Sequence, residues 1–194
     1  MNWVIIGILA VIIIFAVLVY NRLISLKNRF KNAFAQIDVQ LQRRHDLIPN
    51  LVETAKGYMT HERETLTQVT EARAAAVSAK KAAKANPDNP GAIGALGKAE
   101  SMLSGSLANF FALSENYPDL KANETIAQLM EELSTTENRI GFARQAFNDS
   151  VMDYNTYREQ FPNNLIASTF GSFKAAELLE IENPEARVAP KVSF

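Results

Sequence analysis

Apolar residues fill the chain from Trp3 to Tyr20, an eighteen-residue run that contains no charged side chain. As a helix this run measures about 27 Å, close to the roughly 30 Å hydrocarbon core of a bilayer. A chain in that core has to satisfy its own backbone hydrogen bonds, so the run predicts a transmembrane helix. Trp3 and Tyr20 stand at its two ends, where amphipathic rings favour the interfaces, and we interpret both as membrane anchors.

The apolar run does not have the features of a cleaved signal peptide. A signal peptide has a positive amino-terminal region and a small-residue cleavage site. Neither accompanies this run, so we expect it to be retained as a signal-anchor. The chain has no cysteine, which excludes attachment of a lipid to a cysteine side chain.

Beyond the run, apolar residues recur in steps of three and four as far as Tyr58, the pattern of one helical face. Neither glycine nor proline occurs between Tyr20 and Pro49. The membrane helix is therefore predicted to continue directly as the first helix of the body. Pro49 lacks a backbone donor and is expected to kink this helix or to make it restart nearby.

Three further segments with helical spacing follow, at residues 62–85, 92–116 and 123–160, separated by breaks that contain proline, asparagine and aspartate. The fold class predicted is all-α: an N-terminal transmembrane helix that continues into an antiparallel bundle of about four helices. An extended coiled coil between chains is the alternative. The predicted parts are the anchor at 1–21, the bundle at 22–162 and a tail at 163–194. In the tail we expect short helices around 165–170 and 174–181 and an extended segment from 184.

Charge is unevenly distributed along the 194 residues, although the net charge is only −1. Residues 1–45 hold six basic residues and one acidic residue, a net of +5, and the remainder holds 14 basic and 20 acidic residues, a net of −6. The basic residues beside the apolar run predict an amino terminus outside and a body in the cytoplasm. They also predict contact with the lipid bilayer through anionic headgroups, made by Arg22, Lys27, Arg29 and Lys31. The body has no basic stripe with interleaved aromatic residues, so no nucleic acid partner is expected.

A polar stripe lies beside the apolar face of the first helix. Asp46, Asn50 and Glu53 fall at helical spacing, and Asp38 and Gln42 extend the stripe upstream. Arg43 and Arg44 are close enough for charge pairing along the helix. Three interpretations stay open: a solvated face, a buried polar network completed by Arg139 or Arg144, and a surface that binds another protein.

One stretch partly matches a metal motif. His61-Glu62 begins like HExxH, but Thr65 stands where that motif needs its second histidine. The other histidine, His45, lies sixteen residues back across a predicted turn. The sequence therefore predicts no catalytic residue, metal or cofactor.

Several segments resemble the LemA family. The most specific is IDVQLQRRHDLIPNLV at 37–52, and LKNRFKNAF at 26–34, YPDLKAN at 117–123 and ENRI at 137–140 continue the match. The resemblance implies a bacterial membrane protein with one N-terminal anchor, a short external amino terminus and a helical cytoplasmic domain. It implies no catalytic residues.

These observations favour a non-enzymatic, membrane-anchored helical scaffold or adaptor at the cytoplasmic face of a bacterial inner membrane. Its expected partner is itself or another membrane protein. Two alternatives stay open: a self-assembling oligomer that organises the membrane, and a membrane-bound hydrolase using His61 and Glu62.

Overall fold

The computed structural model describes residues 2–169 and 173–181. Six helices occupy these residues, and no strand does. They are α1 (Asn2–Lys56), α2 (Arg63–Ala85), α3 (Pro90–Ser114), α4 (Pro118–Lys121), α5 (Glu124–Glu159) and α6 (Asn163–Thr169). The all-α prediction is confirmed, and the three long body helices end within two residues of their predicted bounds.

Helix α1 runs without interruption for 55 residues, from the apolar run into the centre of the body. This confirms that the apolar run continues directly as the first bundle helix. Of the two alternatives expected at Pro49, a kink or a restart of the helix nearby, the restart is wrong, because α1 continues through Pro49 to Lys56. Pro49 leaves the carbonyl of His45, four residues earlier, without its helical donor. Arg73 of α2 donates its Nε–H to that carbonyl oxygen at 2.6 Å, which compensates the missing bond.

The body is an antiparallel bundle. The pairs Arg29–Asp153 and Arg43–Glu132 show that α5 runs opposite to α1, and α2 packs along both α1 and α3. Asn89 and Asn123 cap α3 and α5, since each side-chain oxygen accepts a hydrogen bond from the backbone three residues on. Four long helices therefore alternate in direction, as the sequence predicted.

Buried apolar side chains form two clusters, one at each end of the body. The cluster next to the apolar run extends along α1 from Val19 to Leu41 and includes Phe147 and Tyr154 of α5. The distal cluster begins at Ile48 of α1 and includes Phe110 and Leu133. Between them α1 carries Arg44 and His45, both buried, so a polar layer divides the core.

The tail departs from its prediction. Helix α6 confirms the first short helix, but residues 173–181 are extended, so the helix expected at 174–181 is wrong. The segment predicted as extended from residue 184 lies outside the described residues. We refer to residues 173–181 as the strap, because they lie across the bundle against α5 and α3.

Side chains of α5 hold the strap by its backbone. The side-chain amide of Asn148 donates to the carbonyl of Leu179 and accepts from its N–H. The side-chain amide of Asn155 forms the same pair of hydrogen bonds with the backbone of Ala176. Three further strap carbonyls, at 173, 174 and 181, accept from Arg158, Tyr154 and Arg144 respectively. These bonds replace those of a helix turn, and the buried side chains of Phe173, Leu179 and Ile181 add apolar packing. Tertiary contacts thus override the local helical pattern.

Helix α3 comes close to the strap at a glycine. A Cβ atom at position 97 would overlap the carbonyl oxygen of Glu180, whereas a Cβ at Gly105 of the same helix would meet open space. Gly97 is therefore needed for the approach of two backbones, although glycine weakens a helix.

We expect Gly97→Ala to displace the strap and to lower the free energy of unfolding by about 1–3 kcal/mol, as overpacking does. The matched control Gly105→Ala should instead stabilise α3 by roughly 0.5–1 kcal/mol. Hydrogen exchange of the strap amides, with thermal unfolding of the full chain in detergent, checks both. Unchanged strap protection in Gly97→Ala would show that the strap does not depend on this approach.

Candidate functional site

The polar layer brings together charged and uncharged polar residues from all four long helices. On α1 they are Asp38, Gln42, Arg44 and His45. Lys80 comes from α2, Glu100 and Ser104 from α3, and Glu137 from α5.

Arg44 occupies the centre of the layer, with only 2% of its side chain exposed. Its guanidinium lies 3.5 Å from Glu100 and 3.1 Å from Glu137, and it donates to the Ser104 hydroxyl at 2.8 Å. Nε2 of His45 lies 2.9 Å from the other oxygen of Glu100. An arginine with a planar fork of donors suits such a site, because it can satisfy several acceptors at once.

Asp38 joins α1 to α2 at the edge of the layer. Its carboxylate lies 2.7 Å from Lys84 and 3.4 Å from Lys80, and Lys80 also donates to Gln42. Burial opposes ionisation of Asp38, but hydrogen bonds and positive charge from Lys84 and Lys80 outweigh it and hold the pKa of the carboxyl below its ordinary value. The two lysines therefore keep Asp38 charged inside the bundle.

The predicted polar stripe divides into a buried part and an exposed part. Asp38 enters the layer, while Arg43 is half-exposed and pairs with Glu132 at 3.4 Å. Asp46, Asn50 and Glu53 are exposed, and the contacts seen at them stay within α1. The network interpretation named Arg139 or Arg144 as partners, but Arg144 binds the strap and Asp38 pairs with lysines of α2.

Sequence reasoning missed Lys80 and Glu100 as members of the layer. A detectable signal exists, because Lys80 continues the apolar spacing of Ala72 and Ala76 on α2, and Glu100 lies on the apolar face of α3. A charge on an apolar face indicates a buried ion pair when an opposite charge lies on a neighbouring helix. The choice of neighbour requires the packing of the helices.

The four predicted headgroup ligands occupy different surroundings. Arg22 is exposed one turn beyond the apolar run. Lys27 and Lys31 lie 2.8 and 3.3 Å from Asp88 in the loop between α2 and α3, and Arg29 lies 3.2 Å from Asp153. The hydrogen bond from Lys27, with the nearby positive charge, lowers the pKa of Asp88. Contact of these cations with headgroups stays a prediction.

The apolar run meets the criteria for a membrane-spanning helix by length and composition. Its large side chains are exposed as far as Leu18, and Trp3 at the far end is 85% exposed. Tyr20 is half-buried, and its ring packs edge-on against Phe173 of the strap at a centroid distance of 5.3 Å. The body thus begins to cover α1 in the last turn of the run.

An open groove lies between α3 and α5 on the distal side of the strap. It encloses about 540 Å³ and is lined by Leu107, Phe111 and Met130, with Arg44 and Glu137 at its wall. The sequence predicts neither the groove nor the strap.

The HExxH-like segment has a structural contact. Glu62 accepts a hydrogen bond from the Tyr117 hydroxyl at 2.9 Å, and this bond raises the pKa of Tyr117. The bond joins the turn after α1 to the end of α3. Among residues 2–169 and 173–181, no group of three or more His, Asp or Glu side chains is placed to hold a metal ion.

Arg44→Ala would leave Glu100 buried beside an empty space. We expect it to lower the free energy of unfolding by about 3–5 kcal/mol, because Glu100 loses the guanidinium and keeps only the contact with His45 inside the core. The control Arg43→Ala removes a neighbouring, exposed pair and should cost at most about 1 kcal/mol. Urea unfolding of the full chain in detergent, followed by circular dichroism, compares them. Equal losses in the two variants would contradict a structural role for the layer.

The lowered pKa of Asp38 makes part of the stability depend on pH. Because the folded-state pKa lies below the ordinary 3.8, the contribution is complete above that value and disappears as the pH falls through the folded pKa. Asp38→Asn should therefore cost roughly 1.5–3 kcal/mol at pH 7, as loss of a hydrogen bond to a charged group does. The difference from the parent chain should shrink in acid. Asp46→Asn, at an exposed carboxylate, is the control and should cost at most about 1 kcal/mol at pH 7.

Comparison with known proteins identifies the family of the chain. The LemA family model matches residues 33–194. Protein LemA of Metamycoplasma hominis is 25% identical over 174 residues, which cover 86% of this chain and 75% of that protein. Magnetosome proteins MamQ 1 and MamQ 2 of Paramagnetospirillum magneticum are each 26% identical over 193 residues, covering 91% of this chain and 71% of each relative. The family match takes in the body half of α1, the polar layer and the strap, and the chain belongs to the LemA family.

Proposed function

We propose that the chain is a non-enzymatic scaffold or adaptor that α1 anchors in a bacterial inner membrane. The observation that supports this proposal is the continuity of α1. Its first part presents exposed apolar side chains over the length of a bilayer, and its second part is the central helix of the body. No flexible linker separates the two parts, so the anchor sets the position of the body directly.

Rigidity of the body fits this role. Residues 21–56 of α1 extend about 54 Å beyond the apolar run, which places the distal end of the bundle well away from the membrane. Ion pairs of the polar layer join α1 to the other long helices, and the strap ties α5 to α3. The buried charges thus have a structural role, because they connect the helices to each other.

The charge distribution supports a cytoplasmic body. Arg22 and the cations that follow it lie on the carboxyl side of the apolar run. The positive-inside bias then directs the body to the cytoplasm and the amino terminus outward.

The exposed part of the polar stripe is the proposed partner surface. Asp46, Asn50 and Glu53 share one face of α1, and the bonds seen at Asp46 and Glu53 are local contacts with Gln42 and Lys56. Exposed pairs of this kind add little to stability, so their replacement leaves the fold intact. The surface suits a partner with basic side chains.

Crosslinking in intact membranes tests the scaffold proposal. We expect the full chain to be captured with a specific membrane protein or with a second copy of itself, and the double variant Asp46→Ala with Glu53→Ala to lose that product while its melting temperature stays within a few degrees. The control double variant Glu64→Ala with Gln68→Ala removes a similar exposed pair from α2 and should keep the product. A chain that forms no crosslink would contradict the proposal.

A further inference from the structure

The body has a second apolar feature at the end where α1 enters it. Helices α1 and α5 are antiparallel, with Arg29 beside Asp153. Phe161, eight residues after Asp153, lies in the turn that follows α5, and Asn21 lies eight residues before Arg29 on α1, so both positions are at about the same level. That level is the end of the apolar run, which stops at Tyr20.

Helix α6 covers α1 at this level. Ala167 of α6 belongs to the same buried cluster as Val19 and Leu23, and α6 packs against both α1 and α5. Asn163 fixes the preceding turn, because its buried side chain donates to the carbonyl of Tyr157 at 3.0 Å. The turn and α6 are thus held in place against the last turn of the apolar run.

A bilayer core of roughly 30 Å needs the entire apolar run to cross it. If α1 spans the membrane, as proposed above, then Val19 and Tyr20 lie at the boundary between acyl chains and headgroups. Because α6 covers that turn of α1, α6 lies at the boundary too.

Two large apolar side chains, one in this turn and one on α6, are exposed instead of packing in the core. Phe161 is 80% exposed in the turn just before α6, and Leu165 is 57% exposed in the first turn of α6. The exposed cation Arg22 lies on α1 just beyond the run, where it suits an anionic headgroup. Aromatic and aliphatic side chains beside a cation are typical of an element that lies in a membrane interface.

We propose that Phe161 and Leu165 insert into the leaflet from which α1 emerges and form a second contact of the body with lipid. This inference rests on the proposed membrane anchoring by α1. Two contacts instead of one prevent the bundle from tilting about the end of α1. The body then stands in one orientation relative to the membrane, and its exposed polar stripe faces a defined direction.

Site-directed spin labelling of the full chain tests this contact, because the chain contains no cysteine of its own. Single variants Phe161→Cys and Leu165→Cys carry the label at the proposed contact. Phe142→Cys is the matched control, since Phe142 is a 75% exposed phenylalanine on α5 about 28 Å nearer the distal end. Ile12→Cys, in the middle of the run, reports whether the anchor itself is inserted. Each protein is reconstituted into vesicles of phosphatidylcholine and phosphatidylglycerol.

The measurement is the collision rate of each label with oxygen, which enters lipid, and with a water-soluble nickel chelate. We expect the ratio of oxygen to nickel collisions to be several-fold higher at positions 161 and 165 than at 142, and highest at 12. Labels at 161 and 165 that match 142, with 12 in lipid, would overturn the second contact and leave the anchor intact. Labels protected from both reagents would show cover by protein, such as a second copy, and would also overturn it. A water-exposed label at 12 would overturn the anchor, and the second contact with it.

Discussion

Helix α1 continues through two stretches of different character, an exposed apolar run and a body helix with a buried face. In a bilayer no water is available to replace a missing bond, and in the centre of a bundle the same holds. The one proline inside α1 removes a donor at Pro49, and Arg73 supplies a replacement to the carbonyl of His45. With that bond in place, a single helix can connect the apolar run to the distal core, and every other element of the body packs directly or indirectly against it.

The polar layer determines how the other helices are placed around α1. Apolar clusters on either side would tolerate small changes of register, because hydrophobic contacts are not directional. Arg44 is different, since Glu100, Glu137 and Ser104 have to meet its donors at the same time. Lys80 and Lys84 impose a similar condition between α2 and Asp38. Buried charges are weak contributors to net stability, yet they penalise every arrangement in which they lack partners.

The strap completes the bundle at the end next to the apolar run. Helices α3 and α5 leave a groove between them, and the strap fills one half while the other half stays open beside Phe111 and Met130. Phe173 of the strap also packs against Tyr20. After α5 the chain therefore returns to the end of the apolar run, first with α6 and then with the strap. This end of the body therefore consists of elements from both ends of the described sequence.

Sequence alone determined the helices, their bounds and the continuity of α1, because helical periodicity, capping asparagines and prolines act over a few residues. It also determined the family, through the long specific segment at 37–52. It did not determine the partners of the charges: Asp38 and Arg44 stand six residues apart on α1, yet one pairs with α2 and the other with α3 and α5. Nor did it determine the strap, where residues 174–181 look helical locally. Asn148 and Asn155 can form hydrogen bonds with the backbone of the strap only when α5 lies beside α3. The need for glycine at position 97 becomes evident only when Glu180 packs against it. Such contacts join residues far apart in the chain, so tertiary structure decided them.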